Sequence, residues 1–365
     1  MRTNTVSSYL KSYDLAKPSD FEKYLSIWRT SQSRRPHDHP GYLMLMKSNN
    51  QHPRAVVYFE CDVPKIIYAF YMLYLQDFPS IGLGNVQASH IVSAYGYGGP
   101  VFYNLESGAS EGFERAFSDY LSENKVISEF VREDLFSTYK VLRPVESMKQ
   151  QENVVVDLQR TADRLWEDYK HSVRKNIKRA QASELQVELD FEAKTTRDFV
   201  EVYHLTMTRT NASKSFMIPE SEFVKFNTYL LEDQVGFYVH VRLHGEVIAT
   251  ELVLRSPRYV YSFLGGSNMD YSGLRPSDLL KHHVSLWCIS NGIQGYVLGG
   301  GVRPYDGIYK FKLAFDKNGS IPFCVQRLIH DKTRYDDAVS ARRNAATENY
   351  ASWIENPDYF PAYFS

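Results

Sequence analysis

Lys312 sits between Phe311 and Phe315 in the stretch GYVLGGGVRPYDGIYKFKLAFDKNG, where an apolar run ends in Gly299, Gly300 and Gly301 and then loops through Asp306. Glycines at a strand end let a substrate lie against bare backbone and leave N–H donors within reach. A lysine set among aromatic neighbours is a fixed cation. It can hold a phosphate or meet the negative charge that develops on a carbonyl oxygen under attack, a contact worth about 3–4 kcal/mol. Side-chain alternation predicts a strand that puts Phe311 on the core side and Lys312 on the floor of a cleft, or else a strand lysine that snorkels to solvent. Asp306 either orients or deprotonates an amine, or closes an Asx turn in the loop.

Further chemistry-bearing stretches precede it. In YKHSVRKNIKRAQ, Arg174/Lys178 and Lys175/Arg179 are i,i+4 pairs on one helix face, with Leu165, Tyr169, Val173, Ile177 and Ala180 on the other. The basic face is either a solvated surface or a set of phosphate contacts. HLTMTRTNASKSFMIPESEF gathers hydroxyl and amide groups around Arg209 and reads as loop and capping chemistry, with Pro219 and Glu220 opening a helix. SAYGYGGP offers Tyr95 and Tyr97 as flat, hydroxylated surfaces in a tight turn, or forms an ordinary hairpin loop. His37 and His39 lie between prolines without a third ligand at a workable spacing, so no metal is expected. The P-loop, GxGxxG and GxSxG patterns are absent.

The elements that must position these residues recur. GYLMLMKSNNQHPRAVVYFECD reads as strand, turn, strand, and VGFYVHVRLHGEVIATELVLRSPRYVYSFLGG as three strands separated by His244-Gly245 and Ser256-Pro257. Each passage is followed by a helix, near 109–123 and 276–291, and then by a short apolar strand, VISEFV or GYVLGG. Meander, helix and strand therefore occur twice, which predicts two α/β domains with mixed, mostly antiparallel twisted sheets flanked by helices. The expected division is 1–150, 151–335, and a tail at 336–365 packed on the domains.

With 365 residues and a net charge of −1, no global field draws the chain to DNA or to an anionic membrane, so any basic site is local. Cys61, Cys288 and Cys324 form no CxxC pair and read as reduced thiols. The N-terminus lacks an apolar signal region. The run Ile66–Leu75 is about half of the ~20 residues a spanning helix needs. The expectation is a cytoplasmic protein with no transmembrane segment.

Taken together, TMTRTNAS, YSFLGGSNMDYSGLRPSDLLKHHVSLWCISNGIQGYVLGGG and DGIYKFKLAF resemble the second domain of the FemAB-like transferases, a branch of the GNAT acyl-CoA N-acyltransferase superfamily. SVRKNIKRAQ is similar to the basic helix that opens that domain, and SAYGYGGP to a loop of the first. The resemblance covers roughly residues 90–330 and implies two tandem GNAT-like domains. It implies transfer of an acyl or aminoacyl group onto an amine of a peptidoglycan precursor or, in CelD-like branches, of an exopolysaccharide amino sugar. The donor would be aminoacyl-tRNA or acyl-CoA, with no tightly bound cofactor. The acceptor would be a nucleotide- or lipid-linked sugar precursor, and peripheral membrane contact stays open. The resemblance assigns Lys312 to the active-site cleft. Together with the readings above, it gives Lys312 and Asp306 as catalytic candidates. Phe311, Gly299, Gly300, Gly301, Arg209, Tyr95, Tyr97, Arg174, Lys175, Lys178 and Arg179 are the substrate-binding candidates.

One departure stands out. Where GNAT acetyltransferases carry Arg/Gln-x-x-Gly-x-Gly/Ala before the long helix, this chain has Arg275-Pro276-Ser277-Asp278. An acid at that helix start opposes a diphosphate, which favours an aminoacyl ester or an unusual mode of CoA binding. An N-acetyltransferase and a non-catalytic ligand-binding relative remain the alternatives.

Overall fold

The computed structural model describes residues 7–82, 87–143, 145–348, 353–356 and 358–365. Its elements run β1 (Ser8–Asp14), α1 (Pro18–Thr30), α2 (Pro40–Met46), β2 (His52–Glu60), β3 (Val63–Tyr74), β4 (Ser89–Ser93), β5 (Val101–Phe102), α3 (Glu111–Glu123), β6 (Val126–Arg132) and β7 (Glu146–Asp157). They continue through α4 (Ala162–Asp168), α5 (His171–Gln181), β8 (Gln186–Asp190), α6 (Thr196–Arg209), α7 (Glu220–Glu232), β9 (Gly236–Leu243), β10 (Glu246–Arg255) and β11 (Tyr259–Ser267). The last are α8 (Pro276–Ser290), β12 (Gly295–Gly299), α9 (Gly307–Leu313), β13 (Ser320–Ile329) and α10 (Lys332–Glu348).

Two compact units result: residues 1–150 with 323–365, and residues 151–322. The sequence reading carries the second domain on to 335, whereas the chain counts with the first unit from Phe323 onward.

In the first unit β1, β2, β3 and β4 form an antiparallel ladder, and β6 then joins β4 in parallel after α3. In the second, β8, β9, β10 and β11 are antiparallel, and β12 joins β11 in parallel after α8. Four antiparallel strands, a helix and a parallel fifth strand thus occur twice, as the repeated order predicts. A parallel neighbour requires a crossover, and the helix supplies it. At the β9–β10 turn both His244 (φ 50°) and Gly245 (φ 89°) are left-handed, the conformation a two-residue hairpin turn demands.

Each unit has its own core. In the first, Phe113 and Phe117 of α3 stack at 5.4 Å and cover Tyr68 and Phe70 of β3. In the second, Val173, Ile177 and Ala180 of α5 pack with Leu280 and Val284 of α8 on Val239 and Val253. Each such large apolar side chain removed from water is worth about 1.5–3 kcal/mol. The run at Ile66–Leu75 is spent mainly on buried β3, and among the described residues no helix is long and apolar enough to cross a membrane.

Three stretches differ from the sequence expectation. GYLMLM is helix α2, not a strand: Pro40 sits in its first turn, and His39 Nδ1 caps it by accepting from Gly41 N at 3.0 Å. TMTR is the last turn of α6 rather than loop. GIYKFKL is helix α9 rather than a strand, with Asp306 as its N-cap. Phe311 and Phe315 therefore meet as i,i+4 neighbours, their rings edge to face at 5.3 Å.

Candidate active site

The parallel ladder between β11 and β12 covers only Tyr259↔Gly295, Val260↔Tyr296 and Tyr261↔Val297, although β11 runs on to Ser267. The far half of β11 therefore keeps a strand edge without a ladder partner on the β12 side. The end of β12 is kept free of side chains by contact. Gly299 takes φ 76°, and a Cβ at Gly300 would lie 2.6 Å from Gln151 Nε2 and 2.7 Å from Asn153 Oδ1. A larger residue there would have to displace the Gln151 and Asn153 side chains.

Helix α9 brings Lys312 back to this glycine end. Its Nζ donates to Gly300 O at 2.6 Å, which leaves two of its three N–H groups for a ligand. Burial, reinforced by the nearby positive charge of Lys281, lowers Lys312 to about 8 from the ordinary 10.5, while Glu251 and Asp306 pull the other way. The Lys312 ammonium is thus a recessed cation beside bare backbone, although a helix rather than strand alternation puts it there.

Sequence reasoning missed the charged group next to it. Glu251 of β10, 4% exposed, accepts from Lys281 Nζ at 2.6 Å and from Tyr296 OH at 2.8 Å. Lys281 of α8 also donates to Ser262 Oγ at 2.6 Å. Four elements meet in this network, in which Glu251 pairs directly with Lys281 and acts on Lys312 only through its charge. The available signal was a lone charge inside each apolar run, VIATELVL and LLKHHV.

The other expected residues are distributed as follows. Asp306 accepts from Tyr309 N at 2.8 Å, Val302 N at 2.8 Å and Arg303 N at 3.0 Å. These backbone donors hold its carboxyl below the ordinary range, so it caps α9 and is a weak proton acceptor. A side chain at Gly301 would strike this carboxylate, so that glycine is fixed by the cap. Phe311 packs on the core of the second unit and supports α9. Arg209 ends α6 exposed to solvent. On α5, Arg174 is occupied by Glu167 O at 2.8 Å, Lys178 lies 6.0 Å from the Trp166 ring, and Lys175 and Arg179 are exposed. Tyr95 and Tyr97 belong to the first unit, Tyr95 exposed and Tyr97 buried against Phe323. Asp278 is buried rather than directed at solvent. It accepts from Asn176 Nδ2 at 3.1 Å, and burial raises its pKa, so its opposition to a diphosphate at the start of α8 is weakened. Among the described residues no group of three His, Cys, Asp or Glu side chains is placed to hold a metal.

The corresponding place in the first unit is closed. Beyond the last β4–β6 pair, Val92↔Phe130, the SAYGYGGP loop crosses over, and Gly98 N donates to Arg132 O at 2.7 Å. Of the β4–β6 and β11–β12 pairs, the latter keeps its open end.

Residues 167–307 match the family model of the GNAT acetyltransferase domain. The fold is similar to that of FemX (TM-score 0.62, 10% identity, covering 87% of this chain and 97% of that one). It is also similar to the DUF2156 C-terminal domain from an Agrobacterium fabrum protein described as a lysylphosphatidylglycerol synthetase (TM-score 0.55, 11% identity, 89% and 97% covered). A conserved protein of unknown function from Bacteroides thetaiotaomicron VPI-5482 gives TM-score 0.55 at 10% identity, with 87% and 98% covered. Comparison with curated protein sequences gives no match. The resemblance read from the sequence is thus met both by the family model and by the fold.

Proposed function

We propose, from the premise that its second unit carries a GNAT domain, that this chain is an N-acyltransferase that forms an amide on an amino group of a cell-envelope precursor. The observation that carries the reading is Lys312, a recessed ammonium with donors to spare beside the glycine end of β12 and the open edge of β11. The acceptor nitrogen, in its neutral form, attacks the carbonyl carbon of the donor. The C–S bond of a thioester or the C–O bond of an aminoacyl ester breaks, and the released sulfur or oxygen ends protonated by the proton the amine gives up. Lys312 donates to the oxygen that becomes negative in the tetrahedral intermediate. The resemblance to FemAB-like proteins points to a peptidoglycan peptide as acceptor and an aminoacyl ester as donor.

A second reading, acyl-CoA as donor to an amino sugar, gains from Asp278. Its carboxyl is tied to Asn176 and buried, so the acid at the start of α8 is a weaker barrier to a diphosphate than the sequence suggests. Calorimetric titration with acetyl-CoA separates the two. A dissociation constant of about 1–10 μM selects the second reading.

Lys312→Met keeps the stem and removes the charge. Amide formation on amino-sugar and peptide acceptors should fall about 10²–10³-fold while the variant stays folded by thermal melting. A folded variant with undiminished transfer would remove Lys312 from the chemistry and the proposal with it.

A further inference from the structure

Three loops gather at the open end of the β11–β12 pair, and several of their side chains project into solvent. Strands β11 and β12 are parallel, so the segments that leave them, residues 268–275 and 300–306, emerge at the same end of the sheet. Helix α6 ends there too. Thr206 Oγ1 accepts from Ser267 N at 3.0 Å, which sets residues 209–217 beside the end of β11. All three loops belong to the second unit.

Each loop carries a large apolar side chain into water. Met217 is 39% exposed, Met269 49%, Val302 81% and Tyr305 56%, and Ile308 of α9 follows at 48%. Single exposed apolar residues are ordinary, but five at one end of a sheet call for an apolar neighbour. The third loop holds its residues firmly. Asp306 accepts from Val302 N and Arg303 N, and Tyr305 takes φ 58°, an uncommon conformation for a bulky residue. Its ring meets Tyr309 edge to face at 5.4 Å. These side chains are therefore presented to a partner at little further entropic cost.

The charge on the loops is one-sided. Residues 209–217 contain Arg209 and Lys214 and no acid, and residues 268–275 set Arg275 against Asp270. Residues 300–308 set Arg303 against Asp306, whose carboxylate is committed to its own backbone. Arg209, Lys214, Arg275 and Arg303 are all exposed. Arg179 of α5 adds to them, since a Cβ at Gly273 would lie 3.8 Å from its Nη2. A chain of net charge −1 has thus collected a basic rim at this end. Apolar tips among exposed cations match a bilayer with anionic headgroups: aliphatic and tyrosine side chains enter the interface while basic ones meet phosphates. A nucleic acid would use the cations but leave Met217, Met269, Val302 and Ile308 in water.

We propose that these three loops dock the second unit on an anionic lipid bilayer and so bring the open end of β11–β12 to a lipid-borne acceptor. The choice of acceptor rests on the transfer reading above, whereas the docking stands without it.

Sedimentation of the full chain with vesicles tests this, using phosphatidylcholine alone and phosphatidylcholine mixed with phosphatidylglycerol. The mixed vesicles should bind the chain, more weakly as salt rises, and the neutral ones should bind it about 10-fold less. Val302→Ser combined with Ile308→Ser should weaken binding about 10-fold. Lys214→Gln combined with Arg303→Gln should weaken it about 10–30-fold. Both double variants change exposed side chains and should melt with the parent. Lys312→Met should bind mixed vesicles as the parent does, so docking can hold where transfer fails. The absence of binding to mixed vesicles, or parental binding in both double variants, overturns the proposal. So does loss of binding in Lys312→Met, which would place the lipid at that lysine. Transfer RNA that binds the chain where mixed vesicles do not would make the rim a nucleic-acid surface and overturn it too.

Discussion

A partly buried lysine near another lysine is held against its own proton. In Lys312 burial and the neighbouring charge of Lys281 bring the pKa to about 8, where an unfolded lysine keeps the ordinary 10.5. Between those values the unfolded chain binds more protons than the native one, so this residue's contribution to stability rises with pH across that window, and below it the native state carries the full cost. Lys312→Met should therefore melt at a higher temperature than the parent at pH 7, with the gap narrowing as pH approaches 10.5. A variant that melts lower by the same margin at every pH would show that the lysine is stabilised where it stands. The sequence marks Lys312 well, because a cation between two phenylalanines behind a glycine triplet has few structural uses. It marks Glu251 and Lys281 poorly. Each is one charge in an apolar run, and the spacing along the chain does not reveal that they meet across β10 and α8 at 2.6 Å.

At the level of elements, period decides what can be read. Strands β9, β10 and β11 and helix α8 follow from alternation, turn residues and Pro276, and the structure has them at those places. Two short apolar segments, GYLMLM and GIYKFKL, carry too few residues to separate period 2 from period 3.6. Their caps, His39 before Pro40 and Asp306 three residues before Tyr309, held the answer. For α9 the distinction has a functional edge, since the cap sets where Lys312 lands. Asn can keep the cap on Tyr309 N with its one carbonyl oxygen, though not the bonds from Val302 N and Arg303 N as well, and it cannot take up a proton. Asp306→Asn should thus retain transfer to within a few-fold, whereas Asp306→Ala should lose about 1 kcal/mol of stability and transfer with it. Equal loss of transfer in folded Asn and Ala variants would instead make the carboxylate a base.

For the whole molecule, the repeat of four antiparallel strands, a helix and a parallel fifth strand was legible because each copy writes it in its own residues. The return of the chain to the first unit at Phe323 was not, because strand β13 looks the same in sequence whichever strand it pairs with. The two copies nevertheless differ at one point, the end of the parallel pair, which Gly98 stitches shut in the first and which stays unladdered in the second. That difference fixes a count. A chain built like two enzymes in series should behave as one, with a non-reacting analogue of the acyl donor saturating at a single equivalent per chain and a burst of product, where one is seen, of the same size. Two equivalents would mean that the stitched copy opens in solution, and the halves would then have to be treated as partners rather than as one worker and its frame.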